Sequence, residues 1–240
     1  YAERVDDRQH AVIADFGGGT SDFSVLSIEP GQPARVLANS GVGIGGDSFD
    51  AEIIDRAVAP ILGKGESYQT EFGEPAPVPS WLYSRLRRWH LLSFLKEAKT
   101  MALLERIIRG GGSGTAGIER LQVLIEEDLG LSLHTSVEGA KVAISSGERA
   151  MLDFREPGIS FVRPVLRDDF DEWIASELER IRSTIREAMT QAELQPGSVS
   201  RVFATGGSSL VPAVKALLRD EFPSAELVGG EELTSVASGL

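Results

Sequence analysis

An α/β fold interrupted by a largely helical insertion is predicted by three features of this sequence. Residues 10–40 hold three short apolar segments separated by glycine or proline turns, which is strand-like patterning. From about residue 50 to 147 the apolar residues recur at helical spacing instead. After Arg149 the strand signal returns, and strands alternate with helical stretches towards the end of the chain. A length of 240 residues has room for one large domain or two small ones.

In chain order, His10 to Phe16 and Asp22 to Ile28 read as the two strands of a hairpin around Gly17-Gly18-Gly19. Pro30-Gly31 turns the chain into a third strand, Ala34 to Ser40. Ile53, Ile54, Ala57, Val58 and Ile61 then mark a helix from about Ser48 to Leu62, with Asp47 or Ser48 as its cap. Residues 63–79 are rich in glycine and proline and read as a loop. One long helix is expected from Ser80 to Arg109, burying Trp81, Leu82, Leu86, Trp89, Leu92 and Leu95. Gly110-Gly111-Gly112 ends it. Two more helices follow, Ile118 to Leu129 capped by Gly130, and Ser136 to Ser145. Arg149 to Phe154 and Ile159 to Val165 read as strands, and Arg167 to Ala192 as a single amphipathic helix broken at Pro196-Gly197. Val199 to Ala204 is a strand, Gly206-Gly207 a turn, and Val211 to Phe222 a helix. A short strand and a final helix close the chain.

Composition excludes several function classes. Asp and Glu number 36 against 24 Lys and Arg, giving a net charge of −12. Such a surface repels DNA and anionic lipid, so nucleic acid and membrane are not expected as partners, whereas a nucleotide bound locally is compatible. The chain has no cysteine, which rules out disulfides, thiol catalysis and cysteine-based zinc sites. A reducing cytosol fits that usage, and a cytoplasmic location is expected. No uncharged apolar run reaches the ~18 residues of a membrane span. His10, His90 and His134 are scattered without metal-ligand spacing. The chain begins at Tyr1, and a piece of a longer protein is expected.

Three glycine-containing turns carry the chemistry. In Asp15-Phe16-Gly17-Gly18-Gly19-Thr20-Ser21-Asp22 a carboxylate ends one strand, glycines follow, and a hydroxyl opens the next strand. Glycine lets backbone N–H groups approach an anion closely. A strand-end carboxylate can hold Mg²⁺ through its waters, because that ion keeps most of its hydration shell. No Gly-x-x-x-x-Gly-Lys-Ser/Thr loop occurs, and a hairpin rather than a helix follows the turn. The second turn, Gly43-Ile44-Gly45-Gly46-Asp47-Ser48-Phe49-Asp50, opens a helix, where exposed N–H groups favour anions. The third, Thr205-Gly206-Gly207-Ser208-Ser209, joins a strand to a helix, a common ligand-binding position in α/β folds. Each motif taken singly also reads as an ordinary turn or helix start.

Taken together, two glycine turns about 190 residues apart with Gly-Gly-Asp-x-Phe-Asp between them resemble the seventy-kilodalton heat-shock chaperones of DnaK type, within the actin-like ATPase superfamily. The comparable family motifs read Asp-Leu-Gly-Gly-Gly-Thr, Gly-Gly-Glu-Asp-Phe-Asp and Gly-Gly-Ser. Phe203 to Ser209 and Ser235 to Leu240 look most similar to the compact bacterial group typified by YegD. The resemblance is weakest over residues 60–135. It implies an actin-like ATPase (ribonuclease H-like) lobe: a mixed sheet with flanking helices, formed by 1–48 and 150–240 as a base (subdomain IIA), with 49–149 as an inserted upper subdomain (IIB).

The resemblance also implies ligands and roles. ATP or ADP and Mg²⁺ are the implied cofactors. Asp15 and Asp22 would hold the metal, and Thr20 would orient the attacking water beside Asp15. Gly17, Gly18, Gly19, Gly206 and Gly207 would cradle the phosphates, and Gly45, Gly46 and Ser208 would also belong to the nucleotide-binding set. Glu138 and Lys141, at i and i+3 on one helix face, would bind the ribose, and Ser145 would face the adenine. Spacing alone gives Glu138 and Lys141 the reading of a surface ion pair. Four positions depart from the family pattern: Val142 and Leu210 stand where arginines flank the base, Gly43 where a histidine is frequent, and Leu233 at the place of a late aspartate.

The family's first lobe carries its own Asp-x-Gly-Thr phosphate loop and a catalytic lysine, and neither motif is present in this chain. The second lobe alone is therefore expected, inactive by itself, with the first lobe of the same domain as its partner. The parent would hydrolyse ATP and serve client proteins with co-chaperones. A filament-forming actin-like ATPase and a sugar or metabolite kinase of the same superfamily are the alternatives; Gly-Gly-Asp-x-Phe-Asp and Glu-x-x-Lys favour the chaperone.

Overall fold

The protein is described here by a computed structural model covering residues 8–229, apart from the Trp89 side chain. The final helix expected near the end of the chain, and Leu233, lie outside the described residues. The chain divides into two compact units: Phe49–Trp173 forms one, and the segments before and after it form the other.

The first unit is built on a mixed five-stranded sheet in the order β3-β2-β1-β8-β9. Its strands are β1 (Gln9–Phe16), β2 (Ser21–Ile28), β3 (Arg35–Val42), β8 (Val199–Thr205) and β9 (Glu226–Gly229). β1, β2 and β3 pair antiparallel, while β8 lies parallel to both β1 and β9. Alternation decides what each strand buries. Ala11, Ile28, Phe203 and Val228 cluster in the core, and Phe16 meets Phe23 edge-on at 5.7 Å. α8 (Ala175–Gln191) packs on β2 and β3 through Ile181, Thr184, Ile185, Ala188 and Met189, the i, i+3, i+4, i+7, i+8 stripe of an amphipathic helix. α9 (Pro212–Glu221) packs beside it. Glu221, almost fully buried, takes hydrogen bonds from both Arg182 and Arg186 of α8.

The second unit begins within α1 (Gly46–Ile53), which runs on into a π-helical turn at Ile54–Val58. The segment expected to be a loop contains a small hairpin, β4 (Ser67–Gln69) with β5 (Pro75–Pro77). The long helix expected from Ser80 to Arg109 is instead broken into α2 (Trp81–Ser84), α3 (Trp89–Leu92), a 3₁₀ turn at Ser93–Lys96 and α4 (Ala98–Gly110). The chain becomes extended at Arg88 and at Glu97. Neither break has a glycine or proline, so tertiary contacts make them. The Tyr83 hydroxyl donates to the Leu62 carbonyl at 2.9 Å, Arg87 pairs with Glu52, and Arg85 reaches the Phe94 carbonyl. Helix propensity is worth only tenths of a kcal/mol per residue, so burial of Leu82, Tyr83, Leu86, Leu92 and Leu95 prevails. Trp81, expected in the buried stripe, is exposed.

α5 (Thr115–Glu126) and α6 (Gly130–Ser146) follow. Gly130 opens α6 rather than capping α5; Asp128 takes the left-handed conformation there, with φ +53°. β6 (Arg149–Glu156) and β7 (Ile159–Leu166) form a two-stranded hairpin that packs on α6. The single helix expected from Arg167 to Ala192 is two, α7 (Arg167–Trp173) and α8, parted at the buried Ile174. Phe170 of α7 meets Phe49 of α1 edge-on at 6.5 Å. These contacts keep β6, β7 and α7 with the second unit, which runs to Trp173.

Candidate nucleotide site

In the first unit, strand register gathers the expected residues at one end of the sheet. Asp15 is paired with Asp22 across β1 and β2, and with Thr205 across β1 and β8. Directly opposed residues on neighbouring strands share a face, so the two carboxylates stand side by side, both exposed. The four-residue connection Gly17–Thr20 is closed by a Gly17 N–H to Thr20 carbonyl bond of 2.9 Å, and the Thr20 hydroxyl donates to Asp22 Oδ2 at 2.9 Å. The turn before α9, Gly206-Gly207, follows β8 at the same sheet end.

The glycines at this end serve two separate purposes. Gly206 has φ +84°, and a Cβ there would lie 2.0 Å from the Phe16 carbonyl oxygen, so the crossing of β1 by this turn requires glycine. A Cβ on Gly45 would lie 2.5 Å from the carbonyl oxygens of both Gly17 and Gly18. The Gly46 and Asp47 N–H groups donate to those same two carbonyls, at 3.1 and 2.8 Å. Gly45 and Gly46 therefore buttress the triple-glycine turn, with the Gly46 and Asp47 amides spent on it. Gly19 and Gly207 differ, since a Cβ on either would meet nothing within 4 Å and neither has a positive φ. Among the described residues, the N–H groups of Gly18, Gly19 and Gly207 have no acceptor. Open space beside unspent backbone donors is the shape of an anion cradle. Ser208 lies buried beneath its turn, so its side chain is not part of that open surface.

Among the described residues no group of three His, Cys, Asp or Glu side chains is placed to hold a metal ion. Two adjacent carboxylates suit Mg²⁺ all the same, because that ion binds through one or two carboxylates and completes its shell with water and phosphate oxygens. The donor set present therefore fits a nucleotide-bound Mg²⁺ and not an all-protein metal cage.

In the second unit, Glu138, Lys141 and Ser145 lie along α6. Glu138 is exposed. The Lys141 ammonium donates to Asp50 Oδ2 at 2.7 Å, with both side chains nearly buried. The Ser145 hydroxyl donates to the Lys141 carbonyl at 2.8 Å. Val142, one residue beyond the lysine, is exposed, as is Leu210 in the first unit. The last turn of α6 has no basic residue of its own; Arg167, from the start of α7, donates to the carbonyls of Ile144 and Gly147 and supplies the missing positive end. Asp50 and Arg167 were not among the residues expected from sequence. Their partners lie 91 and 20 or more positions away, and no spacing rule reports such a contact.

A family model described as Hsp70 protein matches residues 2–67 and 120–239. The chain belongs to the Hsp70 family. The match omits residues 68–119, the part that holds the β4–β5 hairpin and the broken helices α2 to α4. Among curated proteins, the Hsp70 chain is 24% identical over 226 residues to the chaperone protein DnaK of Mycoplasma mobile, covering 91% of this chain and 28% of that one. It is 27% identical over 210 residues to the DnaK of Cyanidioschyzon merolae, with 87% and 26% covered, and 23% identical over 209 residues to that of Deinococcus radiodurans, also with 87% and 26% covered. The chain thus spans about a quarter of the length of these relatives. No helix among the described residues is long and apolar enough to cross a membrane.

Proposed function

We propose that this chain is the second lobe of an ATP-hydrolysing Hsp70-type domain, and that the turn end of the β1–β2–β8 sheet binds the phosphates of ATP or ADP. The observation that carries the proposal is the juxtaposition of Asp15, Asp22 and Thr20 with the unspent N–H groups of Gly18, Gly19 and Gly207. Phosphoryl transfer to water needs chiefly positioning and charge neutralisation, which such a set provides. The amides hold anionic oxygens. Asp15 and Asp22 hold the hydrated cation, and Mg²⁺, when bound, offsets the charge of the phosphates. Thr20, fixed by its bond to Asp22, orients the attacking water. On the second unit, Glu138 and Lys141 bind the ribose hydroxyls and Ser145 faces the base.

The coverage of the relatives supports a partner: a first lobe of the same domain, supplying the remaining phosphate contacts. Client polypeptides and co-chaperones are the further partners proposed for the parent, as the DnaK relatives are named chaperone proteins.

Following the γ-phosphate tests this. The full-length protein, given γ-labelled ATP and Mg²⁺, is expected to release inorganic phosphate without added acceptor. Label appearing in a sugar or another small metabolite would make it a kinase. Hydrolysis that depends on protein concentration and accompanies sedimentable polymer would make it a filament protein.

A further inference from the structure

Gly41 was not among the residues expected from sequence to serve the site. It lies within β3 and is paired directly with Asp22 of β2, which is paired in turn with Asp15 of β1. The three positions therefore form one row on one face of the sheet, at the end where the glycine turns gather. Glycine inside a strand adds no packing and weakens it, so its presence there points to a close approach. The approaching group is Asp22. A Cβ on Gly41 would lie 2.4 Å from Asp22 Oδ1 and 3.4 Å from its Cγ, while the nearest backbone atom beyond its chain neighbours is the Ser21 carbonyl oxygen at 3.7 Å. The Asp22 carboxylate thus occupies the place where a side chain on β3 would stand. As β2 lies between β3 and β1, that carboxylate leans away from Asp15. Its other oxygen, Oδ2, accepts from the Thr20 hydroxyl at 2.9 Å.

We infer that Gly41 is a positioning residue for hydrolysis: the lack of a side chain at this point of β3 seats the Asp22 carboxylate, which holds Thr20 and stands clear of Asp15. The inference rests on the roles proposed above for Asp22 and Thr20. Gly41 itself touches no ligand in this account. Its φ lies outside the left-handed region, so alanine fits the backbone, and an added methyl meets only the end of a side chain. Replacing a glycine of this kind also reduces the freedom of the unfolded chain. The substitution therefore spares the fold and moves the carboxylate. A displaced carboxylate loses its grip on Thr20, whose hydroxyl then turns freely and no longer fixes a water.

The test uses the full-length protein with Gly41→Ala, Asp22→Ala and both together. Gly41→Ala is expected to melt within about 2 °C of wild type without nucleotide, while single-turnover hydrolysis of MgATP falls about tenfold or more. A crystal structure of Gly41→Ala without nucleotide is expected to show Thr20 Oγ1 and Asp22 Oδ2 more than ~3.5 Å apart. Asp22→Ala empties the disputed space, so adding Gly41→Ala to it is expected to change the rate by less than about twofold. If Gly41→Ala does lower the melting temperature, Asp22→Ala is expected to restore it, because the clash is with that carboxylate. Wild-type hydrolysis in Gly41→Ala, an intact Thr20–Asp22 bond in its structure, or the same tenfold loss on the Asp22→Ala background each overturns the role of Gly41. So does a loss of melting temperature that persists in the double variant, since backbone and not Asp22 would then fill the space. Wild-type hydrolysis in Asp22→Ala overturns instead the proposed role of Asp22 itself.

Discussion

Gly206 and Gly19 lie at the same end of one sheet and are glycines for different reasons. A side chain on Gly206 would collide with the Phe16 backbone and demand a left-handed conformation. Gly206→Ala is therefore expected to destabilise the fold by roughly 2–4 kcal/mol, seen as a lower melting temperature without any nucleotide present. Gly19→Ala meets open space and is expected to melt within about 0.5 kcal/mol of wild type while binding MgATP at least ~10-fold more weakly, because its methyl would enter the space proposed for phosphate. Equal nucleotide affinity in Gly19→Ala would show that this turn is structural. The sequence exposed both glycines but not the distinction between them, because a close carbonyl is set by strand crossing. Val142 and Leu210 raise a second residue-scale question. Both are exposed and apolar, at positions where the family resemblance implies arginines whose planar guanidinium would stack on a base. A preference for ATP over GTP of less than about tenfold is expected in titrations of the full-length protein. A strong preference would mean that other residues grip the base.

At the scale of elements, α8 and α9 are joined by a charged contact that titrates. Burial pushes the Glu221 carboxyl upwards, but hydrogen bonds from Arg186 and Arg182 outweigh it and hold the group below its ordinary value of 4.5. A carboxylate whose folded value is depressed stabilises the fold fully above its unfolded value, and that contribution is lost as pH falls through the folded one. Glu221→Gln is therefore expected to cost roughly 1–3 kcal/mol at neutral pH. The gap between wild type and variant should hold constant from pH 7 to about pH 5 and close below about pH 4.5. A gap independent of pH in thermal melts would assign the loss to packing. Elements with strong periodicity were legible: the β1–β2–β3 run, α8 with its Ile181–Met189 stripe, and β8 with its glycine turn. The region from Ser80 to Arg109 was not, since its breaks at Arg88 and Glu97 accompany contacts no local pattern reports: Tyr83 and Arg87 reach Leu62 and Glu52 outside the region, and Arg85 bridges to the Phe94 carbonyl within it. The β4–β5 hairpin was hidden for a related reason. Its strands are three residues long, with Pro75 and Pro77 in one of them, and leave no alternating pattern to read.

For the whole molecule, the Hsp70 family pattern covers both units and passes over residues 68–119, which hold the broken helices α2 to α4. In sequence β6 and β7 look like a return to the sheet; in the structure they pair with each other and pack on α6. The triple-glycine turn was legible because its residues are contiguous and glycine-rich. The Asp50–Lys141 pair was not, because 91 residues separate its members. The central claim is that the chain contributes the metal- and water-positioning half of an ATPase. It is tested most directly by single-turnover hydrolysis of MgATP by the full-length protein, its Asp15→Asn variant and residues 1–240 alone. The account predicts turnover by the full-length protein, a loss of about 10²-fold or more in Asp15→Asn with the fold intact, and background rates from residues 1–240. Wild-type turnover in Asp15→Asn, or robust hydrolysis by residues 1–240 alone, would contradict it.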